Sequence, residues 1–325
     1  MRRTLTAVSG IAVGHAQDFD AITGCTVILL PEGTTASIDV RGGAPATRET
    51  DLLQPTAMMP SINAICLAGG SAFGLAAATG VVDWLHDQGI GFDVGVTKVP
   101  IVPAAGLFDL RLGRGDRWPD AAMGYAACQA ASMDEVVEGC VGAGTGATVG
   151  KLMGIDYATK TGLGSAAVSL HGDVTIAALA VTNAFGGIYR EHTGEILAGI
   201  RDPERGFVDT IHVFREVMEQ NAYRDFNTTL CVVATDAMLD KTECKKLAQM
   251  AQNALGRTVR PVHTPFDGDI VFAVATGARP SLPMLLMGTI AADVLVQAIE
   301  RSVLTATSLG GLPAARDLQQ GKAQE

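Results

Sequence analysis

The sequence predicts an α+β protein with layered sheets and long helices outside them. Three observations predict this class. Short apolar runs of strand length recur along the chain, and several lead into segments with helical patterning. Hydrophobic residues make up 48% of the 325 residues and charged residues 18%, so the chain has ample material for a buried core. The 38 glycines and the 5% aromatic content indicate packing through small residues and tight turns.

The first half of the chain predicts antiparallel strands and then a strand–helix unit. Residues 6–30 alternate and turn as antiparallel strands do, and residues 37–49 predict a strand that runs into a glycine-rich loop. The strand INAICLAGG leads into the helix SAFGLAAATGVVDWLHDQG, with Ser71 as N-cap and Gly89 just beyond the helix end. Further elements are expected as a strand over residues 92–102 and a helix over residues 121–131.

The second half repeats strand and helix after a glycine-studded segment, residues 139–164. The run VTIAALAVTN predicts a buried strand that ends at Asn183. Asp240 and Glu243 have the spacing of a capping box at the start of a helix. The other expected elements are a loop and helix within 191–226, strands at 229–235 and on either side of a loop within 258–277, and a final helix over 284–305.

Charge, cysteine content and hydropathy exclude several classes of function. The net charge is −10 and Lys and Arg are not clustered, so nucleic-acid binding is not expected.

The N-terminus lacks the apolar core of a signal peptide, and the apolar stretch 282–304 is interrupted by three charged residues, so we expect a cytoplasmic protein without membrane contact. No C-x-x-C pair occurs, and buried reduced thiols are expected at Cys25, Cys66, Cys128, Cys140, Cys231 and Cys244.

The stretch GAGTGATVGK, residues 142–151, resembles a phosphate-binding loop but does not match the Walker pattern. That pattern needs glycine where Thr145 stands and Ser or Thr where Leu152 stands. Two interpretations of the segment stay open. It is either a turn system between strands or a backbone-lined pocket in which Lys151 is the fixed charge.

The same loop partly fits a dinucleotide-binding fingerprint. Gly142, Gly144 and Ala147 satisfy G-x-G-x-x-A, but more glycines follow where the pattern needs an amphipathic helix whose N-terminus binds the pyrophosphate. A dinucleotide-dependent enzyme that uses Gly142 and Gly144 is therefore the weakest of the alternatives.

Other polar motifs carry less information. AGGSAFG around Ser71 resembles a nucleophile elbow, but glycine would be needed at Phe73 and comes one residue too late, so a helix cap is the expected role. No His/Cys cluster has ligand spacing, so neither a metal nor another cofactor is expected. Asp267 and Asp269, separated by one glycine, precede an apolar strand. They form either a polar turn or a pair that orients donors or makes a neighbour more basic.

The stretch RDFNTTLCVVATDAM, residues 224–238, places Asn-Thr-Thr at the mouth of a β-branched run. The simple interpretation is a loop that ends where a buried strand begins. The alternative is that the chain is cut before Thr228. The freed α-amine, with an ordinary pKa of about 7.7–8.0, would then be a general base on the same residue as the hydroxyl nucleophile. The hydroxyl of Thr228 could make that cut itself by attacking the Asn227 carbonyl.

Long motifs, in order along nearly the whole chain, resemble a known family. They are DVRGG, ICLAGGSAFGL, VPAAGLFDL, GAGTGATVGK, AVTNAFG, NTTLCVVATDA and HTPFDGDIVFAVATG. On these motifs the chain resembles the L-aminopeptidase/D-esterase family of self-processing, N-terminal-nucleophile hydrolases. Within it, the chain is most similar to the branch of endo-type 6-aminohexanoate (nylon) oligomer hydrolases. The resemblance implies a four-layer αββα sandwich, a homo-oligomer of four or more subunits, and a small peptide or amide as substrate.

The resemblance also implies a single hydrolase domain over residues 1–325 that cuts itself between Asn227 and Thr228, into fragments 1–227 and 228–325. It implies that Thr228 is the nucleophile, with Lys151 near its amine. Asn183 would donate to the oxyanion, as donors do in other acyl transfers. Further implied site residues are Asp267 and Asp269, which would hold hydrogen bonds behind the nucleophile, and Phe108, Gly144 and Thr145, which would contact substrate.

Two departures from the family pattern bear on specificity. Aminopeptidase members usually carry Ser as nucleophile where this chain has Thr228, and some relatives have Tyr in the cleft where this chain has Phe108. Phe108 removes a hydroxyl donor and favours an apolar acyl chain. Aminopeptides and 6-aminohexanoate-like linear amides both stay open as substrates, because an exo-aminopeptidase needs a carboxylate for the substrate amine, and Asp109 and Glu49 are weak candidates. A processed but non-catalytic binding or scaffold protein is the alternative from another class.

Overall fold

The computed structural model describes residues 3–170, 173–217 and 226–322. The helices are α1 (Ala77–Asp87), α2 (Ala121–Gln129), α3 (Thr210–Val217), α4 (Lys241–Ala251), α5 (Asn253–Thr258), α6 (Met284–Leu304) and α7 (Ala315–Lys322). The strands of the first half are β1 (Ala12–Asp18), β2 (Thr23–Leu29), β3 (Thr35–Val40), β4 (Ala46–Arg48), β5 (Ala64–Ala68), β6 (Phe92–Asp93), β7 (Lys98–Val99), β8 (Ala104–Gly106), β9 (Thr148–Val149) and β10 (Thr159–Lys160). Those of the second half are β11 (Leu163–Ser169), β12 (Thr175–Asn183), β13 (Gly187–Tyr189), β14 (Ile196–Ala198), β15 (Ile200–Asp202), β16 (Gly206–Val208), β17 (Thr228–Ala237), β18 (Val259–Arg260) and β19 (Ile270–Arg279).

Two five-stranded sheets dominate the fold. The first has the strand order β1-β2-β5-β8-β4 and the second has the order β11-β12-β17-β19-β3. In the second sheet β17 lies between β12, to which it is antiparallel, and β19, to which it is parallel. The first residue of β17 is therefore flanked by the end of one strand and by the loop that precedes the other.

The two sheets pack face to face and each carries helices on its outer face. Alternate residues of one strand face different layers, as the pleat requires. Leu67 and Val232 join the apolar layer between the sheets, together with Phe272. Their neighbours point outward, Cys66 toward α1 and α2 and Val233 toward α4, α5 and α6. The result is the predicted αββα sandwich.

Most of the predicted elements are confirmed, including the strand that ends at Asn183 and the capping box at the start of α4. Gly89 follows α1 at φ +69°, and the amides of Gly89 and Ile90 donate back to the carbonyls of His86 and Leu85, as in a Schellman ending. The six cysteines are all buried and free. None of the helices in the described ranges is both long enough and apolar enough to cross a membrane.

Three local predictions were wrong. Ser71 caps no helix; it begins a 3-10 turn at φ +56°, its amide donates to the Leu107 carbonyl, and the α-helix starts only at Ala77. Residues 92–102 form the short hairpin β6–β7 instead of one strand, because Gly95 turns the chain at φ +84°. Helix α7 follows the helix that was expected to be the last, and its short sequence ARDLQQGK is mostly polar.

Candidate active site

Thr228 begins β17, and its hydroxyl lies against the peptide bond that precedes it. The hydroxyl donates to the carbonyl oxygen of Asn227, with 2.5 Å between the two oxygens. The amide N–H of Gly268 donates to the same carbonyl oxygen at 2.8 Å. Thr228 is 3% exposed and Asn227 is 1% exposed, so these bonds form in a buried setting. Two donors therefore polarise one carbonyl, and one of them is the oxygen that could attack it.

Position 268 requires glycine because a side chain there would come too close to two neighbouring oxygen atoms. A Cβ built on this residue would lie 2.8 Å from the Thr228 Oγ1 and 2.8 Å from the carbonyl oxygen of Ala44. Both distances are well inside van der Waals contact, and the second partner is backbone that cannot rotate away. Any larger side chain at Gly268 would therefore displace either the hydroxyl or the loop that carries the N–H donor.

Asn183 lies directly opposite Thr228 in the antiparallel register of β12 and β17. The Nζ of Lys151 donates to Asn183 Oδ1 at 2.7 Å and to the Asn183 carbonyl at 3.2 Å, and the Thr148 N–H donates to Oδ1 at 3.1 Å. Asn183 Nδ2 donates to the Phe108 carbonyl at 3.0 Å. These bonds fix which way the amide points. Because an amide nitrogen carries two hydrogens, Nδ2 has a second one available for another acceptor.

The Asp269 carboxylate accepts hydrogen bonds that fix the start of β17. Its Oδ1 accepts the N–H of Thr229 at 2.9 Å, one residue after Thr228. Its Oδ2 accepts the N–H of His263 at 2.9 Å and lies 3.0 Å from His263 Nδ1. The side chain is 1% exposed. The carboxylate thus ties β17 to the loop that carries Gly268.

Asp267 lies on the other side of Gly268, and its backbone forms a parallel bridge with Asn227. Its Oδ2 accepts the Thr264 hydroxyl at 2.5 Å and its Oδ1 accepts the Phe185 N–H at 3.3 Å. Burial, and secondly the charge of Asp269, raises the pKa of Asp267 above its ordinary value. The sequence-predicted pair therefore lies beside the nucleophile candidate, and each carboxylate orients backbone donors.

Phe108 is beside the site, with its ring 6.1 Å from that of Phe226. Both rings line a small cavity that also contacts Lys151, Leu112 and Ile155. Gly144 and Thr145 lie apart from this lining. They are buried, the Thr145 hydroxyl donates to the Gly142 carbonyl at 2.7 Å, and a substrate-contacting role for them remains a prediction.

Two buried ionisable residues lie beside this site: Asp109, which the sequence offered only as a weak candidate to hold a substrate amine, and Lys160, which sequence reasoning missed. The carboxylate of Asp109 accepts the Gly70 N–H at 2.6 Å and the Thr23 hydroxyl at 2.7 Å, and burial raises its pKa to about 6. Lys160 is 0% exposed, and burial lowers its pKa. Its Nζ donates to the carbonyls of Gly144, Ala147 and Thr161. The one available signal for Lys160 was a lone lysine between threonines in the glycine-rich segment.

The described residues contain no group of three or more His, Cys, Asp or Glu side chains placed to hold a metal ion. The Gly142–Gly144 segment forms one turn of 3-10 helix, and β9 follows it. Residues 145–170 contain no α-helix. The loop therefore lacks the helix N-terminus on which dinucleotide binding depends.

Comparison with known proteins decides the family. The sequence model described as peptidase family S58 matches residues 3–316. The chain belongs to peptidase family S58. An uncharacterized aminopeptidase of Mycobacterium tuberculosis is 41% identical to it, over 98% of both chains. A 6-aminohexanoate-oligomer endohydrolase of Kocuria sp. is 31% identical, over 89% of this chain and 83% of the relative.

Solved structures support the same fold for this S58 peptidase. The L-aminopeptidase D-Ala-esterase/amidase of Ochrobactrum anthropi, described as a variant of the N-terminal-nucleophile hydrolase fold, superposes with a TM-score of 0.73 at 20% identity, covering 99% of this chain and 93% of its own. A Burkholderia sp. beta-aminopeptidase superposes with a TM-score of 0.70 at 21% identity, covering 99% and 93%. The resemblance inferred from the motifs is confirmed, and the chain is a peptide- or amide-bond hydrolase by family.

Proposed function

We propose that this S58 peptidase activates itself by cutting the Asn227–Thr228 bond and then hydrolyses linear amides with Thr228 as nucleophile. The observation that carries the proposal is the contact between the Thr228 hydroxyl and the Asn227 carbonyl, with the Gly268 N–H on the same oxygen. A hydroxyl held against the carbonyl it must attack has already lost the freedom that a bimolecular attack would have to remove.

The self-cleavage step balances without an external reactant other than water. The Thr228 oxygen attacks the Asn227 carbonyl carbon, and negative charge collects on the oxygen that the Gly268 N–H contacts. The C–N bond then breaks, the proton from the hydroxyl passes to the departing nitrogen, and an ester joins Asn227 to the Thr228 side chain. Water hydrolyses that ester, which leaves an Asn227 carboxylate, a free hydroxyl and a free α-amine on Thr228.

The mature site then needs a base, an oxyanion donor and a means to keep the base neutral. The Thr228 amine is the proposed base, because its ordinary pKa of about 7.7–8.0 lies close to working pH. Asn183, opposite Thr228, is the proposed oxyanion donor through Nδ2. Lys151 donates to Asn183, which lies opposite Thr228, and a cation on that side of the amine would favour the amine's uncharged form. Asp269 keeps the strand start in place through the Thr229 N–H.

The proposed substrates are aminopeptides or linear amides that resemble 6-aminohexanoate oligomers, which are the classes named for the curated relatives. The apolar surface of Phe108 beside Lys151 supports an acyl group with few polar atoms. A homo-oligomer of four or more subunits remains part of the proposal, and its size is measurable by light scattering. A cytoplasmic location without membrane or nucleic-acid contact also remains a prediction.

Intact-mass analysis and N-terminal sequencing of the purified protein test the proposal. We expect two chains, with the smaller one beginning Thr-Thr-Leu, and hydrolysis of at least one class of linear amide by the processed protein. Processing without hydrolysis of any aminoacyl amide or 6-aminohexanoate oligomer would favour a processed scaffold. A chain that stays whole during long incubation of the folded protein would contradict self-activation.

A further inference from the structure

We infer that the pocket holding Phe226 is the binding subsite for an apolar group on the acyl side of the substrate, so that the enzyme prefers amides inside a chain to amides next to a free amine. This inference rests on the proposed function. It names the part of the substrate that precedes the residue whose carbonyl Thr228 attacks.

The first argument is positional. In the self-cleavage reaction Asn227 supplies the acyl group, so Phe226 occupies the place one residue further along the acyl side. The N–H of Asn227 donates to the Phe266 carbonyl at 2.9 Å, which holds this segment extended toward the Thr228 hydroxyl. An external substrate attacked by the same hydroxyl and stabilised by the same donors presents its acyl chain along the same path.

The second argument is the shape of the pocket. The centroids of the Phe226 and Phe108 rings lie 6.1 Å apart, and Leu112 and Ile155 add apolar surface to a lining that also includes Arg111, Thr148 and Lys151. The space left among these side chains is about 10 Å³, which is room for about one water molecule at most. Phe226 therefore fills the pocket. It is nevertheless 50% exposed, so the pocket opens to solvent on one side and another group can enter once this residue leaves.

The third argument links the pocket to the chemistry. The carbonyl of Phe108 accepts the hydrogen bond from Asn183 Nδ2, and the cavity reaches Lys151, which binds the other end of the same amide. A group seated against Phe108 thus contacts the residue whose backbone positions the proposed oxyanion donor. Occupancy of this subsite is expected to act on turnover as well as on binding.

The fourth argument concerns the amine that an exo-aminopeptidase must hold. Asp109 is the one carboxylate among the described residues that line this cavity. Both of its oxygens already accept hydrogen bonds, from Gly70 and from Thr23. A Cβ added at Gly69 or Gly146 would lie 2.1 or 2.4 Å from Asp109 Oδ2, so backbone closes the space beside that oxygen. The pocket therefore suits a neutral, extended acyl chain and not an ammonium group.

The test compares three 4-nitroanilides on the self-processed parent protein: acetyl-Phe-Asn, acetyl-Gly-Asn and Asn with a free amine. We expect kcat/KM for the acetyl-Phe-Asn substrate to exceed that for acetyl-Gly-Asn by about 10-fold or more, since filling an apolar pocket discriminates on that scale. The free-amine substrate is expected to be the slowest. Equal rates for the Phe and Gly substrates, or a faster free-amine substrate, would overturn the inference.

Two variants locate the preference. Phe108→Ala should reduce the Phe/Gly ratio of kcat/KM several-fold, and Ile155→Ala, a smaller change in the same wall, provides a second measurement if the first variant folds poorly. Phe73→Ala is the matched control, because Phe73 is 58% exposed and stacks on Trp118 outside the cavity. The subsite would be contradicted if the Phe/Gly ratio of kcat/KM in both Phe108→Ala and Ile155→Ala equalled the ratio in Phe73→Ala.

Failure of the inference and failure of the proposed function give different results. If the parent processes itself and hydrolyses amides with no preference for the Phe substrate, only the subsite is wrong. If the purified chain stays whole, or if the processed chain hydrolyses neither these three amides nor any other aminoacyl amide or 6-aminohexanoate oligomer, the proposed function fails and the subsite fails with it.

Discussion

The amide N–H of Gly268 donates to the carbonyl oxygen of Asn227 at 2.8 Å, on the oxygen that the Thr228 hydroxyl also contacts. The donor comes from a loop about 40 residues further along the chain, which β19 brings alongside β17 through parallel pairing. A backbone donor needs no side-chain rotation to reach a developing negative charge. In the proposed self-cleavage, this contact gives the short turn between Asp267 and Asp269 a role that the two carboxylates alone do not explain.

Gly268→Ala is expected to slow self-processing by at least 10-fold, because the added methyl group would lie 2.8 Å from both the Thr228 Oγ1 and the Ala44 carbonyl. The measurement is the fraction of intact chain against time after purification from a short expression. Gly256→Ala is the control, since a Cβ there meets nothing within 4 Å and the residue lies in α5. That control should process as the parent does and gain about 0.5–1 kcal/mol in stability. If Gly268→Ala is cleaved at the same rate as the parent, the loop that carries Gly268 takes no part in self-cleavage.

Asn183→Ala should lower kcat of the processed enzyme about 10²–10³-fold, the usual loss on removal of one oxyanion donor. Asn183→Asp keeps an acceptor for Lys151 and Thr148 but loses the N–H donor, so it should lose a similar factor. Asn63→Ala is the control, because Asn63 Oδ1 accepts the Ile101 N–H at 2.9 Å away from the site. Full activity in Asn183→Asp would show that the amide donor is not used.

Lys151→Met should shift the acid limb of the kcat/KM–pH profile to higher pH. Without the cation, the pKa of the Thr228 amine rises, and the amine stays protonated and unable to act as a base up to a higher pH. Lys160→Met is the matched buried-lysine control: it removes bonds to the carbonyls of Gly144, Ala147 and Thr161 and should lower the thermal midpoint without moving the limb. If the acid limb of Lys151→Met lies at the same pH as that of the parent, Lys151 does not influence the pKa of the base.

The buried carboxyl group of Asp109 is expected to make the stability of the folded chain depend on pH. Burial raises its pKa in the folded chain to about 6, so the folded state binds this proton more tightly than the unfolded state does. Its contribution is therefore fully present below the unfolded pKa near 4 and is lost as pH rises through about 6. The loss is on the order of 3 kcal/mol, at about 1.4 kcal/mol per pKa unit.

The measurement for Asp109 is the thermal midpoint between pH 4 and pH 8. Relative to Asp109→Asn, the parent should become progressively less stable over that range. Asp116→Asn is the control, because Asp116 is an exposed acid whose pKa is lowered by its hydrogen bond to Arg114. A parent-to-Asp109→Asn difference that does not change with pH would show that folding does not raise the pKa of Asp109.

The sequence alone predicted those features that depend on neighbouring residues. The β-branched run after Thr228, the strand that ends at Asn183 and the capping box of α4 all follow from local periodicity and end signals. Ser71 was misjudged because its amide is taken by the distant Leu107 carbonyl, which no local pattern reveals.

The composition of the site was harder to predict. Only the resemblance implied that Lys151, Asn183, Asp267 and Asp269 group with Thr228, since pairing between strands that are distant in sequence brings these segments together. In the sequence, Gly268 is visible only as a spacer between two acids. Its N–H donor becomes visible once the parallel register of β17 and β19 is known. Gly144 and Thr145 are buried as well, which the glycine-rich sequence around them did not reveal.

The measurement that tests the central claim most directly is the intact mass of two isosteric variants, Thr228→Val and Thr229→Val. The two threonines are adjacent and buried, and the Thr229 hydroxyl has no hydrogen-bond partner among the described residues. If the Thr228 hydroxyl makes the cut, Thr228→Val stays at the mass of the full chain while Thr229→Val yields the same two fragments as the parent. Two fragments from Thr228→Val would contradict the account.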